Sequence, residues 1–226
     1  MNLNYIEKGS GKPMILLHGN GSSHKYLSAQ IEFFSKDRKV YALDTRGHGK
    51  SPKGNEPFTL SQFADDLYCF MKEKNIEKAD ILGHSDGGNI ALIFALLHPE
   101  MIDNMILASA NFVPDGLCGF FIVPIKIGLF FASFFENKSA KVKKQADLWR
   151  LMTNEPNITV DELKKINVRT LIISASADVI KDSHTRLLHK SIKSSVWIKL
   201  QGDHGLPHSK PDAFNAAVQK FLKQGD

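Results

Sequence analysis

Residues 79–90, ADILGHSDGGNI, decide the fold of this chain. They begin as a mostly apolar run, continue into the G-x-S-x-G pattern of residues 83–87, and lead at once into helical apolar spacing from Ile90. A serine on a sharp strand-to-helix turn projects its hydroxyl away from the backbone, and glycines on both sides allow the turn without a Cβ clash. Because a strand and a helix flank the motif, we predict that Ser85 is a nucleophile rather than a helix cap.

Similar apolar runs recur along the chain, and helical spacing lies between them. The apolar runs are residues 3–6, 14–17, 40–43, 79–83, 105–108, 170–173 and 196–200, and the helical patterns are residues 60–71, 90–97, 187–192 and 211–221. Short runs that are apolar throughout are typical of strands covered on both faces. The alternation of strands and helices predicts an α/β fold with a doubly wound, mostly parallel sheet.

The alternation breaks at about residues 112–165, where no strand-like run is bounded by turn signals. We therefore predict a single domain over residues 1–226 with a short helical cap insertion at about 112–165. Within it, residues 117–135 are nearly all apolar and about long enough to span a bilayer. Pro124 and Lys126 lie at the centre of this stretch, where a charge costs at least about 2.5 kcal/mol. An apolar lid over a pocket, or buried core, is therefore favoured over a membrane span.

Composition excludes several classes of protein. The net charge of +5 is mild for 226 residues, and the one dense basic patch, Lys138, Lys141, Lys143 and Lys144, lacks the interleaved aromatic residues of a nucleic-acid binder. We therefore expect neither a nucleic-acid nor a membrane partner. Two cysteines cannot form a disulfide framework, and the N-terminus has no signal-peptide pattern, which favours a cytoplasmic location. No metal-ligand spacing occurs, and no metal or organic cofactor is implied.

A serine hydroxyl needs a base, and the base needs an acid that orients it. In open α/β sheets, functional residues lie at the carboxyl ends of strands. His204, just after the last apolar run, is the best candidate for the base, and Asp178, after the run before it, is the best candidate for the acid. Asp182 is expected at a helix start, and Asp203 is expected to point away from His204. The chain order serine, aspartate, histidine is the one associated with this sheet topology.

Two backbone N–H groups are expected to bind the oxyanion that forms when the serine attacks a carbonyl. One is that of Asp86, directly after the nucleophile. The other lies in the loop of residues 18–21, His-Gly-Asn-Gly, after the first central strand, and we assign it to Asn20.

With these motifs the chain resembles the α/β-hydrolase fold superfamily over essentially its whole length. Residues 17–21 resemble its oxyanion loop, and residues 44–51, DTRGHGKS, resemble its D-x-R-G-x-G-x-S segment. The resemblance implies structural roles for Asp44 and Arg46 and a cap inserted after the sixth strand. Haloalkane dehalogenases in this superfamily have an aspartate nucleophile where this chain has Ser85, and hormone receptors of the same fold bind ligands without turnover.

The sequence predicts a serine hydrolase that cleaves small-molecule carboxylic esters through an acyl-enzyme. Seven phenylalanines between residues 112 and 135 indicate an apolar acyl site, to which we assign Phe120 and Phe121. Asp86 has two open readings. It either interacts favourably with the helix dipole, or it binds a cationic substrate group, as the resemblance of residues 85–88, SDGG, to superfamily members that cleave amino-acid esters implies. A C–C bond hydrolase, a thioesterase and an amino-acid-ester hydrolase would use the same triad, and a non-catalytic receptor is the alternative of another class.

Overall fold

A seven-stranded sheet forms the centre of the computed structural model, which describes residues 1–224. Its strands are β1 (Tyr5–Lys8), β2 (Lys12–Leu17), β3 (Arg38–Leu43), β4 (Ala79–His84), β5 (Ile102–Ala108), β6 (Arg169–Ala177) and β7 (Ser195–Asp203). They lie in the order β1-β3-β2-β4-β5-β6-β7, with β1 antiparallel to β3 and the other neighbours parallel. The predicted doubly wound, mostly parallel sheet is confirmed.

Helices cover both faces of the sheet. They are α1 (Ser28–Phe34), α2 (Leu60–Glu73), α3 (Asp86–Leu97), α4 (Gly119–Ala132), α5 (Ala140–Asn154), α6 (Val160–Leu163), α7 (Asp182–Ser191), α8 (Leu206–Ser209) and α9 (Pro211–Lys223). Side chains alternate between the two faces along each strand. In β2, Ile15 and Leu17 pack into the core beneath α2 and α3, whereas Met14 and Leu16 pack into the core beneath α1 and α9. This two-sided burial explains why the strands read as uniformly apolar.

The parallel strands bring their carboxyl ends to one edge of the sheet. The loops that leave β2, β4, β6 and β7 at this edge carry Asn20, Ser85, Asp178 and His204. Residues far apart in sequence therefore meet there, and the candidate site follows from the topology.

The segment between β5 and β6, residues 109–168, contains α4, α5 and α6 and no strand of the sheet. Five strands, β1 to β5, precede this segment in the chain. The insertion therefore follows the fifth strand, whereas the resemblance implied that it follows a sixth. Residues 117–135 begin outside α4 and continue past its end, so the apolar stretch is not one long helix. Each helix among the described residues 1–224 is too short or too polar to span a bilayer.

Candidate active site

Ser85 stands on a strained turn between β4 and α3. Its backbone has φ 54° and ψ −121°, a conformation that residues with a Cβ rarely adopt. A Cβ on Gly83 would lie 2.2 Å from the carbonyl oxygen of Gly87, and a Cβ on Gly87 would lie 2.2 Å from that of Leu17. Both glycines of the motif are therefore required by close backbone approach, and the turn presents the serine hydroxyl at the sheet edge.

His204 faces the serine from the loop after β7. Its Nε2 lies 3.1 Å from Oγ of Ser85, and its Nδ1 lies 2.7 Å from Oδ1 of Asp178. A carboxylate only accepts hydrogen bonds, so Nδ1 carries the proton and the neutral ring leaves Nε2 free to accept the proton of Ser85. The three residues thus form a continuous hydrogen-bonded chain with the polarity that a general base needs.

Asp178 is held as a carboxylate by several donors. Its Oδ2 accepts hydrogen bonds from Oγ of Ser109 at 2.6 Å and from the N–H of Ala175 at 3.1 Å, and its Oδ1 accepts one from the N–H of Ile180 at 3.2 Å. Burial would raise the pKa of Asp178, but these bonds and the nearby His204 outweigh burial and lower that pKa to about 2. Asp178 therefore stays charged and can stabilise an imidazolium.

Asp182 and Asp203 serve other contacts. Asp182 begins α7 and pairs with Lys199 at 2.6 Å. Oδ1 of Asp203 accepts hydrogen bonds from the N–H of Gly205 and from Oγ of Ser209. Neither carboxylate bonds the His204 ring, so Asp178 is the acid that the geometry supports.

The loop after β2 lies against the nucleophile. A Cβ on Gly19 would lie 3.1 Å from Cβ of Ser85. Nδ1 of His18 lies 2.7 Å from the carbonyl oxygen of Gly19, and Nε2 accepts from the N–H of Thr45, so Nδ1 is the donor in the neutral ring. The C=O and N–H of a trans peptide point in opposite directions. With the Gly19 carbonyl directed at His18, the N–H of Asn20 is directed away from it.

The Asp86 side chain belongs to a buried amide network. Its Oδ2 accepts a hydrogen bond from Nδ2 of Asn20 at 2.9 Å, and its Oδ1 accepts one from Nδ2 of Asn89 at 3.1 Å. Burial raises the pKa of Asp86 to about 6, although the hydrogen bond from Asn20 acts in the opposite direction. The carboxylate is not among the groups that line the cavity at Ser85. The Asp86 side chain therefore ties the loop after β2 to the first turn of α3, and this geometry gives no support to the predicted cation site.

A cavity of about 230 Å³ opens at the serine. It is lined by Gly19, Asn20, Ser22, Tyr26, His84, Ser85, Phe121, Met152 and His204. A larger groove of about 740 Å³ lies elsewhere, between residues 47–58 and α5, and contains neither Ser85 nor His204. We place the candidate site in the smaller cavity because the reactive groups meet there.

Of the two phenylalanines assigned to the acyl site, Phe121 lines this cavity but Phe120 does not. Phe120 is 73% exposed. Successive helix residues point about 100° apart, and on α4 this difference turns Phe121 to the cavity and leaves Phe120 in solvent. Phe120 is therefore removed from the site, and Met152 of α5, which no sequence pattern marked, lies in it instead.

Asp44 and Arg46 lie apart from the reactive groups. Asp44 accepts hydrogen bonds from His24 and from the N–H of Lys50, and Arg46 makes a two-fold ion pair with Asp66 at 2.6 and 2.7 Å. Both residues are buried and shape their loop.

Sequence reasoning did not mark His84, Ser109 or Tyr26. His84 occupies the variable position of the G-x-S-x-G motif, where the pattern sets no residue type. Ser109 directly follows β5 at the same sheet edge, which is the one signal that could have indicated it. Within the described residues 1–224, no group of three or more histidine, cysteine or carboxylate side chains is placed to hold a metal ion.

Comparisons with known proteins agree with this architecture. Residues 12–119 match the family model described as alpha/beta hydrolase fold. An abhydrolase domain-containing protein of Schizosaccharomyces pombe is 30% identical over 191 residues, which are 80% of this chain and 66% of that protein. A Caulobacter protein named "Putative carbamate hydrolase" is 25% identical and is matched over 92% of this chain and 90% of its own length. Other curated relatives are matched over 30–40% of their length.

Solved structures share the fold. The crystal structure of an enol-lactonase from Burkholderia xenovorans superposes with a TM-score of 0.82, covering 98% of this chain and 96% of that one, at 21% sequence identity. Identity at this level is evidence of a shared fold and leaves the substrate open.

Proposed function

Because this chain belongs to the α/β-hydrolase fold superfamily, we propose that Ser85, His204 and Asp178 form the catalytic triad of a serine hydrolase that cleaves small carboxylic esters. The observation that carries the proposal is the hydrogen-bonded chain from Oγ of Ser85 through the His204 ring to Asp178, with distances of 3.1 and 2.7 Å. It begins at a strained, glycine-flanked serine, a conformation that persists where the surrounding structure enforces it for function.

The reaction proceeds in two displacements. Oγ of Ser85 forms a bond to the ester carbonyl carbon while Nε2 of His204 takes the serine proton. The tetrahedral intermediate collapses, the C–O bond to the alcohol breaks, and His204 gives that proton to the leaving oxygen. Water then attacks the acyl carbon while His204 accepts a water proton. The bond from that carbon to Oγ of Ser85 breaks, the acid is released, and His204 returns the proton to Oγ. Asp178 stabilises the imidazolium in both halves, and the N–H groups of Asn20 and Asp86 bind the oxyanion.

The size of the cavity favours a small acyl group. A volume of about 230 Å³ is below the roughly 300–1,000 Å³ of pockets for drug-sized ligands. Its wall contains the apolar side chains of Phe121 and Met152. A neutral acyl group is favoured over an α-amino acyl group, because the Asp86 carboxylate is engaged by Asn20 and Asn89.

A fluorophosphonate probe and a panel of p-nitrophenyl esters test the proposal. The wild type should take up one label and hydrolyse p-nitrophenyl acetate, and Ser85→Ala should abolish labelling and lower turnover by about 10⁴–10⁶-fold. Ser61→Ala is the matched control, because Ser61 is exposed on α2 and does not line this cavity, and it should keep both activities.

Two results would contradict the proposal. Labelling of the Ser85→Ala protein would assign the nucleophile elsewhere. A folded wild type that neither reacts with the probe nor turns over any ester would favour the receptor class. Faster cleavage of thioesters, carbamates or C–C bonds than of matched oxygen esters would keep the triad and change the substrate class.

A further inference from the structure

The outward side of α4 and of the turn that continues it carries a row of exposed apolar side chains. We call it the α4 stripe. Its members are Phe120, Val123, Ile127, Phe130, Phe131 and Phe134, each 50–73% exposed. Their spacing of i, i+3, i+7, i+10, i+11 and i+14 places them on one side of a helix. Contiguous exposed apolar surface of this kind marks an interaction site.

The opposite side of α4 is already engaged, so the stripe has a defined direction. Ile122 and Ala132 are buried, and a Cβ on Gly128 would lie 2.8 Å from the Trp149 ring of α5. Phe121 lines the cavity at Ser85. The helix therefore cannot turn its stripe inward without losing these contacts, and the stripe is left for something outside the chain.

The charges around the stripe indicate what that partner is. Residues 117–135 contain no aspartate or glutamate. Lys126 on α4 and Lys138 and Lys141 beyond its end are exposed. The next carboxylate along the chain, Glu136, is paired with Arg150 at 2.6 Å. Aromatic side chains next to unopposed lysines complement the acyl chains and the negative headgroups of an anionic bilayer surface.

A second copy of the chain fits less well. A two-fold symmetric contact through the stripe would use the same patch on both copies. It would bring two sets of the same lysines together, with no carboxylate of residues 117–135 to offset them. The charge pattern therefore favours a lipid surface over self-association.

We propose that the α4 stripe, with Lys126, Lys138 and Lys141, docks this protein peripherally on an anionic lipid bilayer. Contact is confined to the bilayer surface, because α4 has 14 residues and is about 21 Å long, shorter than the roughly 30 Å hydrocarbon core. Docking would place the side of the molecule that holds the Ser85 cavity next to the membrane. The inference replaces the expectation of no membrane partner that the sequence suggested, and it does not depend on the reaction proposed for Ser85.

Vesicle co-sedimentation of the full chain tests the proposal. The wild type should bind vesicles of phosphatidylcholine mixed with phosphatidylglycerol, and added salt should weaken binding. The double variant Phe130→Ser/Phe134→Ser should lower the partition coefficient at least about tenfold. The double variant Lys138→Glu/Lys141→Glu should lower it by a similar factor at low salt. Leu97→Ser, at a side chain 52% exposed on α3, is the matched control and should bind like the wild type.

All five substituted positions are exposed, so each variant should fold. Thermal unfolding of each variant checks this. Absence of vesicle binding by the wild type would overturn the proposal, and so would equal binding to pure phosphatidylcholine or binding that the stripe variant retains. A wild type that is dimeric in light scattering and does not bind vesicles would also overturn it. If the stripe variant is then monomeric, the stripe is a contact between two copies of the chain.

Discussion

Nε2 of His84 lies 2.8 Å from the carbonyl oxygen of His204. A carbonyl oxygen only accepts hydrogen bonds, so Nε2 of His84 donates. His84, directly before Ser85, thus holds the backbone of His204, whose ring faces Ser85. Burial and the neighbouring His204 lower the pKa of His84 to about 4, which keeps its ring neutral near pH 7. The Tyr26 ring stacks on it with centroids 5.1 Å apart. His84 therefore positions the backbone of His204, the base that we propose.

We expect His84→Leu to lower kcat for p-nitrophenyl acetate about tenfold, because the His204 loop loses its anchor, and to change KM little. His84→Gln places an N–H donor on a side chain of similar reach and should recover part of the loss. Steady-state kinetics of both variants measure kcat and KM separately. A rise in KM alone, or equal losses in the two variants, would show that the His84 ring acts only by packing.

Asp178→Asn should lower kcat about 10³–10⁴-fold, because an amide donor opposite Nδ1 favours the wrong tautomer of His204. Ser109→Ala removes only one of the hydrogen-bond donors to Asp178 and should lower kcat about tenfold or less. Because the pKa of Asp178 is about 2, its carboxylate stays charged above about pH 4, and its own titration should not shape the rate profile there. An ionisation between about pH 4 and 5 in the profile of kcat/KM against pH that is lost in Asp178→Asn would contradict the low pKa of Asp178.

The buried Asp86 should make stability depend on pH. Its pKa is about 6 in the folded chain and 3.8 at its ordinary value, so the folded state binds the proton more tightly. The free energy of unfolding of the wild type relative to Asp86→Asn should therefore fall by about 2–3 kcal/mol as the pH rises from about 4 to about 7. Urea unfolding of both proteins at the two pH values measures the difference. A constant difference would mean that the carboxylate is not desolvated.

The cavity wall should set the acyl length. Phe121→Ala enlarges a cavity of about 230 Å³ and should raise kcat/KM for p-nitrophenyl octanoate relative to the acetate about tenfold. Phe120→Ala is the control one residue away, at a side chain 73% exposed, and should leave the ratio unchanged in detergent-free buffer without lipid. If both variants shift the ratio equally, the α4 backbone and not the Phe121 side chain limits the acyl group.

The sheet could be predicted from the sequence because each of its features has a local signature. Apolar runs such as residues 14–17 mark doubly covered strands, and residues 83–87 mark a turn whose glycines are required by contacts within a few residues and with the adjacent strand. The helix α1 escaped prediction because it has only seven residues and its buried face includes the polar Gln30. Within α1 only Ile31 and Phe34 are buried and apolar, and two residues are too few to define a helical period.

By itself the sequence determined the sheet edge to which Ser85, Asp178 and His204 belong, since strand order and connection chirality leave few alternatives. Only the tertiary structure decided that Phe121 faces the cavity while Phe120 faces outward. It also decided that the Asp86 side chain bonds Asn20 and does not line the cavity, and that His84 bonds a carbonyl oxygen 120 residues away in sequence. These contacts depend on how separate elements are rotated and packed against one another. A local pattern records the period of a helix but not the angle at which that helix meets its neighbours.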